Sequence, residues 1–316
     1  MKAVVYTRYG SPDVLEVTEI PTPSPGEGEV LVKIHAVSLN ASDWEMLCGK
    51  PLYSRIGGLL RPRRHVLGSD IAGRVVACGP KSTRFQPGDD VFADALSTLG
   101  GFAEFICVPE KILEPLPAGL THEQAAALPQ SGAIAWQGIV ARGEVQGGQR
   151  VLINGAGGGS GMYAIQLAKL RGAQVTGVDN AEKLEFMASL GADHVIDYRR
   201  EDYTRNGKTY DLVLDVQAFR SARDYRRALA PGGRYFYVGG SVRTLFGVLL
   251  FGGKRVRVLA IQLGAKQLGS LVELCRAGEV STVIDRRYSL DEVPEALGYL
   301  GNGHARGKVL IVIDQR

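Results

Sequence analysis

Cysteine, tryptophan and methionine are scarce: the 316 residues hold four Cys, two Trp and four Met. Cys48, Cys78, Cys107 and Cys275 stand far apart, with no C-x-x-C pair. That spacing excludes a zinc knuckle and a disulfide framework, and four lone thiols suit a reducing compartment. Long apolar runs are also missing. The longest, residues 244–253 (TLFGVLLFGG), falls far short of the roughly 18 residues that a membrane span requires. The opening stretch MKAVVYTRYG reads as a strand without the apolar region of a secretory signal, so a cytoplasmic location is expected. Nor does one sign of charge dominate. Lys and Arg number 37 against 33 Asp and Glu, a net charge of +4 that is too mild to point to nucleic acid. No internal repeat or low-complexity segment interrupts the chain.

Glycine, by contrast, is plentiful at 41 residues, which implies many turns and close backbone approaches. With 45% hydrophobic and 22% charged residues the composition is globular, and the length suits two domains. The most informative glycines lie in VLINGAGGGSG, residues 151–161. An apolar strand (Val151, Leu152, Ile153) runs into the cluster, and MYAIQLAKLRGA continues it as a helix. The match to G-x-G-x-x-G is A-x-G-x-x-G, with Ala156 in the first place. Gly158 would let the backbone approach a pyrophosphate, and Gly161 would let the helix pack closely on the strand. The pyrophosphate would rest on the free amides of the helix N-terminus. A second strand, VTGV, ends in Asp179, 18 residues after Gly161 and 21 after Gly158. That is close to the roughly 20-residue offset of a ribose-binding acid. Strand, glycine turn, helix, strand and acid together predict a nucleotide-binding half-fold.

Before this motif the chain reads as β-rich, with strand-like segments at 2–9, 15–20, 30–39, 70–78 and 102–108. Residues 21–29 (PTPSPGEGE) form a connection, and PGDDV (87–91) turns into a strand. Thr121 and Gln124 make a capping box that starts a helix. Strands and helices then alternate, with a turn at Pro231–Gly232–Gly233 and a further strand over 254–261. Such alternation predicts βαβ units on a parallel sheet.

Several segments occur in an order that resembles a known family. They are N-x-x-D (40–43), HVLGSDIAG (65–73), PGDDVF, GFAEF, AALP (126–129), the glycine loop, GADHVIDY, LAPGGRY and the terminal GHARGKVLIVI. Together they resemble the medium-chain dehydrogenase/reductases, in the zinc-free, quinone-oxidoreductase-like branch. The resemblance implies an α/β fold: a Rossmann doubly wound parallel sheet (122–260), a GroES-like β-rich catalytic domain (1–121 and 261–316) and a cleft between them. It also implies a homodimer joined at the Rossmann sheet edges. The zinc-dependent members carry Cys where this chain has Asn40 and His where it has Ser69, and four clustered Cys where it has Cys107 alone. Without these soft ligands no zinc site is expected, and His35 and His65 are lone histidines.

Without zinc to polarise a carbonyl, acceptors that spread the incoming charge are expected: quinones and enones. Asn40 is a candidate to donate its amide to a substrate oxygen or to bond the strand end. Asp43 reads as the cap of a short helix WEMLC, or as a base. Tyr53 reads as a proton donor or a packing aromatic, and Ser131 as a residue facing the nicotinamide. For the cofactor, NAD(P)H, the candidates are Asn154, Ala156, Gly157, Gly158, Gly159, Ser160 and Gly161, then Asp179, Asn180, Lys183 and Tyr198, and finally Val216, Gly239 and Gly240. Asp179 would accept ribose hydroxyls and repel a 2′-phosphate, which leans toward NADH. Lys183, Arg199 and Arg200 are the cations that would compensate. Two stretches, 52–65 and 242–258, mix apolar residues with arginines. They read either as a greasy basic mouth near a membrane surface, or as a lid loop and a dimer-edge segment. Two other functional readings stand beside the quinone or enone reductase. One is a dedicated ketone or tailoring reductase of a biosynthetic pathway, and the other a non-catalytic NAD(P)H-binding protein.

Overall fold

A computed structural model describes residues 1–55, 58–262, 264 and 268–313. In chain order the first elements are β1 (Lys2–Val5), β2 (Glu16–Glu19), β3 (Glu29–Ser38), α1 (Ala41–Cys48), β4 (Asp70–Cys78), β5 (Asp90–Asp94), β6 (Phe105–Pro109), β7 (Leu113–Pro115) and α2 (His122–Ala126). The middle holds α3 (Pro129–Ala135), β8 (Arg150–Asn154), α4 (Gly159–Leu170), β9 (Gln174–Asp179), α5 (Leu184–Ser189), β10 (His194–Asp197), β11 (Tyr210–Asp215), α6 (Ala222–Arg227), β12 (Leu229–Tyr237), α7 (Val242–Phe251) and β13 (Val256–Val258). The last are α8 (Gly269–Arg276), β14 (Ile284–Tyr288), α9 (Val293–Gly301) and β15 (Lys308–Val312).

The chain forms two compact units. One comprises Met1–Gln130, Leu263–Arg276 and Ile284–Arg316; the other comprises Ser131–Gln262 and Ala277–Val283. The first is built on a seven-stranded sheet, among the described residues, ordered β14-β15-β3-β4-β5-β7 with β6 on β3. β3 is its spine: alternate residues Val30, Val32, Ile34 and Ala36 are fully buried, the period-2 pattern of a half-buried strand. The sequence reading opened the second unit at residue 122, yet α2 belongs to the first. Ala125 and Ala126 pack against Ala36, Ala72 and Phe92, on β3, β4 and β5, because alanine lets the helix lie close on the sheet.

The second unit carries a six-stranded parallel sheet, among the described residues, in the order β10-β9-β8-β11-β12-β13. Numbered from β8 this is 3-2-1-4-5-6, the doubly wound order of dinucleotide-binding sheets. Its switch point lies where β8 and β11 run side by side. The chain is thus an α/β protein with a Rossmann sheet and a GroES-like unit.

Some local readings change. Residues 231–233, read as a turn, lie inside β12, and the pairing of β11 with β12 slips at Tyr210/Leu212 to take them in. Gly233 makes this possible, since a Cβ there would come 2.6 Å from the Tyr210 carbonyl oxygen. The strand read over 254–261 is three residues long, and β1 ends at Val5. After α3 the chain continues as a π-helix, Trp136–Ala141, which no sequence signal announced.

Candidate active site

At the C-terminal end of β8 the chain turns through Gly155, Ala156 and Gly157 into α4, whose N-cap is Gly158. No side chain caps this helix, so its first-turn amides, those of Gly159, Ser160 and Gly161, are left to a ligand or solvent. Gly155 has φ +81°, and a Cβ there would meet Val216 Cγ2 at 2.4 Å. At Gly161 a Cβ would lie 2.4 Å from the Ala156 Cα and carbonyl oxygen, so glycine alone lets α4 start this close to the loop. Gly158 is different: the nearest atom to a Cβ is the Gly155 oxygen at 3.6 Å. Nothing in the protein itself therefore demands glycine at 158, which is what a cradle kept open for a ligand looks like.

Asp179 closes β9 beside this loop, 9% exposed. Its Oδ2 accepts the Gly157 N–H at 3.0 Å, and its Oδ1 accepts the Asn180 N–H at 2.8 Å. The ammonium of Lys183, also buried, stands 3.5 Å from Oδ1. The carboxylate is therefore partly satisfied and partly neutralised from within, which the sequence alone did not indicate. Asn180 caps the short turn that carries Lys183, accepting the Glu182 N–H. Tyr198, half exposed, is tied to the same strand end by its N–H to the Asp179 carbonyl, with the Arg199 guanidinium over its ring.

At the switch point Asn154 is less free than its place suggested. Its Nδ2 donates to Asp215 Oδ1 at 2.7 Å and to the Gln217 carbonyl at 2.9 Å. Asp215 is fully buried and also receives Tyr235 OH at 2.8 Å, Tyr203 OH at 3.3 Å and the Gln217 N–H at 3.1 Å. Burial pushes its carboxyl up, against these donors. Val216 N–H bonds the Asn154 carbonyl, Ala218 N–H bonds the Gly239 carbonyl, and Gly240 pairs with Ala218. Gly240 has φ +141°, and a Cβ there would sit 2.0 Å from the Ala218 oxygen. These bonds lace the strand-end loops of the sheet together.

A second polar cluster lies in the first unit. Asn40 lies two residues past the end of β3 and is the N-cap of α1, so the helix starts at Ala41 rather than within WEMLC. Asp43 is its third residue: Oδ2 accepts the Asn40 N–H at 2.8 Å and Oδ1 the Gly68 N–H at 3.1 Å. Burial raises its carboxyl to about 6 despite these amides. With both oxygens committed to backbone, Asp43 reads as a structural cap and not as a base. Ser69 Oγ accepts Gln130 Nε2 at 2.6 Å, and Asp70 accepts the Gln130 N–H at 3.1 Å. Lys308, from β15, is 2% exposed and donates to Asn40 Oδ1 at 2.8 Å and to the Leu39 carbonyl at 3.1 Å. The sequence reading missed it. Tyr53 bonds Glu45, whose carboxyl burial pushes up to about 7. Ser131 is buried in the first turn of α3, within the second unit.

These residues do not fit zinc. The oxygen of Asn40 is taken by an ammonium, the hydroxyl of Ser69 by an amide, and a cation already occupies the neighbourhood that a divalent ion would need. Among the described residues no group of three or more His, Cys, Asp or Glu is placed to hold a metal. The nucleotide loop, by contrast, fits a pyrophosphate through its uncapped helix start and its open Gly158. No helix among the described residues is long and apolar enough to cross a membrane.

Residues 26–118 match the alcohol dehydrogenase GroES-like domain, and residues 190–311 match a family described as zinc-binding dehydrogenase. The chain is 34% identical to the chloroplastic quinone-oxidoreductase QR1 of Triphysaria versicolor, over 98% of each protein. It is 35% identical to a 2-methylene-furan-3-one reductase of Solanum lycopersicum, over 98% of the chain and 79% of that protein. The solved quinone oxidoreductase of Coxiella burnetii superposes with a TM-score of 0.87 at 28% identity, covering 99% of each chain.

Proposed function

The chain belongs to the medium-chain dehydrogenase/reductase family, in its quinone-oxidoreductase-like branch, and from that premise we propose that it is an NAD(P)H-dependent, zinc-independent reductase of quinones or activated alkenes. One observation carries the reading. The positions that would hold a metal present a buried amide and a hydroxyl, while the nucleotide loop keeps an uncapped helix start and a glycine that the apo fold does not require. Asn40 supplies a neutral donor for the oxygen of an enone or quinone, where charge develops during reduction. The bound cofactor supplies the hydride. Tyr53, backed by Glu45, is the proton donor in this reading, and a carboxyl held near pKa 7 suits the return of that proton.

For the nicotinamide we propose a preference for NADH, resting on Asp179 and narrowed by Lys183. Oxidation of NADH and NADPH should be followed with a benzoquinone and an α,β-unsaturated ketone, with and without a chelator. Turnover should be indifferent to the chelator, and kcat/KM should favour NADH. Asp179→Ser should raise the relative efficiency of NADPH by about tenfold, a change of about 1.4 kcal/mol. Chelator-sensitive turnover would overturn the zinc-free reading, and a wild-type preference for NADPH would overturn the role given to Asp179.

A homodimer joined at the β13 edge is the assembly we propose. β13 ends the parallel sheet, and α7 beside it exposes Phe246, Leu249, Leu250 and Phe251. An exposed apolar face next to an open strand edge fits a second copy of the chain better than solvent. Sedimentation equilibrium should report twice the 33.9 kDa of one chain, and Phe246→Asp with Leu250→Asp should return it to one. A wild-type monomer that pellets with anionic vesicles would favour the membrane-surface alternative instead. For the basic stretch at 52–65, residues 56 and 57 lie outside the described residues. The four cysteines, none of them in a disulfide, fit a cytoplasmic site of action, which cell fractionation would check.

A further inference from the structure

So far Lys308 has served only to argue against a metal, yet its ammonium is buried against the acceptor-side residue Asn40. It reaches Asn40 across 268 residues of sequence. Burial works against its charge, and the fields of Asp70 and Asp43 sustain it. An ammonium offers three donors and no acceptor, so only the oxygen of a carboxamide can face it. The amide of Asn40 is otherwise nearly symmetric in shape and can exchange Oδ1 for Nδ2 by rotating half a turn. With Lys308 Nζ 2.8 Å from Oδ1 that rotation would bring amide hydrogens against ammonium hydrogens. The orientation is thereby fixed. Nδ2 then points away from Lys308 and lies toward Asp70, buried and without a hydrogen bond of standard geometry. A buried donor left open in this way is costly unless a ligand completes it.

We infer that Lys308 is a positioning residue: it locks the Asn40 carboxamide so that Nδ2 presents its hydrogens to the oxygen of the quinone or enone. This rests on the reductase reading above and adds to it the residue that aims the donor. Without Lys308 nothing would oppose the half-turn, which carries Nδ2 away from Asp70, and the substrate oxygen would meet Oδ1 for part of the time.

The test is a double-mutant cycle on the full chain, with Asn40→Ala, Lys308→Met and the pair. Each is assayed for kcat and KM with the benzoquinone and the unsaturated ketone at saturating cofactor, and for cofactor affinity by nicotinamide fluorescence. Loss of one oxyanion donor lowers kcat by roughly 100-fold. Asn40→Ala should show a loss of that order, and Lys308→Met at least about a tenfold loss in kcat. The pair should be no worse than Asn40→Ala by more than about twofold, because the aim of an absent donor is irrelevant. Cofactor affinity should stay within about twofold throughout. Asn40→Asp keeps an oxygen for Lys308 but removes the donor, so it should fold and lose activity as Asn40→Ala does. If Lys308→Met does not fold, Lys308→Met with Asp70→Asn removes both members of the buried charge pair and takes its place in the cycle. Losses that multiply in the pair, or a folded Lys308 variant with normal kcat, overturn the inference while leaving the reductase reading intact. A fully active Asn40→Ala removes the acceptor from Asn40, and a wild type with no turnover on either acceptor removes the reductase reading; each takes this inference with it.

Discussion

Gly161→Ala is expected to lose NAD(P)H binding by roughly 100-fold or more and to lower the thermal stability of the chain, whereas Gly158→Ala should impair binding at unchanged stability. The two glycines share one loop and one motif, but they answer to different constraints. An alanine Cβ at 161 would lie 2.4 Å from the Ala156 Cα and oxygen and 2.5 Å from its carbonyl carbon. All three are backbone atoms, so no rotamer change relieves them. α4 must move away from the loop, at a cost of about 1–3 kcal/mol for an overpacked contact. Its free amides then leave the position where they would meet a pyrophosphate. At 158 the same methyl group would find only the Gly155 oxygen, at 3.6 Å, which is an ordinary contact. The apo protein should tolerate it, and only a phosphate seated against that backbone would be displaced. Fluorescence titration with NADH and NADPH, beside thermal melts followed by circular dichroism, separates the two variants. Cofactor affinity within threefold of wild type in both would sink the assignment of this loop. Equal destabilisation by both would mean that Gly158 serves the fold rather than the ligand.

What could be read in advance follows from how far each interaction reaches along the chain. The glycine loop, the strand before it and Asp179 lie within about thirty residues, and their spacing is itself the signal. The capping box of Thr121 and Gln124 is local as well, and α2 carries both of its bonds. Lys308 was invisible for the opposite reason. Its partner is Asn40, at the far end of the sequence, and GKVLIVI reads only as a strand with a polar first residue. For Asp179 the sequence offered Lys183, Arg199 and Arg200 as compensating cations without saying which of them meets the carboxylate. A lysine four residues on looks like any solvated cation, and only the fold shows it buried against the carboxylate. The helix at Asn40 begins earlier than WEMLC suggests because its capping asparagine follows the end of β3 by only two residues. Strand and cap signals overlap there, and the tie between Asp43 and the Asn40 N–H decides the boundary. The Pro-Gly-Gly segment misled because glycine is the residue of turns and of bulged strands alike.

Asp215→Ala is expected to destabilise the nucleotide-binding unit by about 3–5 kcal/mol, since each buried donor left without its acceptor costs about 1–3 kcal/mol. Asp215 is fully buried and accepts from Asn154, Tyr235, Tyr203 and the Gln217 amide. Alanine would leave the two hydroxyls and the Asn154 amide without their acceptor in a site that water does not reach. Tyr235 stacks on Tyr225 with ring centroids 4.0 Å apart, so its hydroxyl has little freedom to seek another partner. Asn154 does have some freedom, and its release matters most for function. It ends β8 next to Gly155 and holds the loop after β11 through Gln217. Cofactor affinity should therefore fall along with stability, by about tenfold. Asp215→Asn keeps the volume and one accepting oxygen, so it should lie between alanine and wild type. It should also remove a pH dependence. Burial raises the folded pKa of Asp215 above its unfolded value, so the native state holds a proton that the unfolded chain has lost. In that window the stability from this group declines as pH rises. Chemical denaturation across the acid range should show that slope in the wild type and its absence in Asp215→Asn. An Asp215→Ala chain that melts within about 1 kcal/mol of wild type would mean that the two tyrosines and Asn154 find other acceptors. The crevice at the switch point would then not depend on this carboxylate.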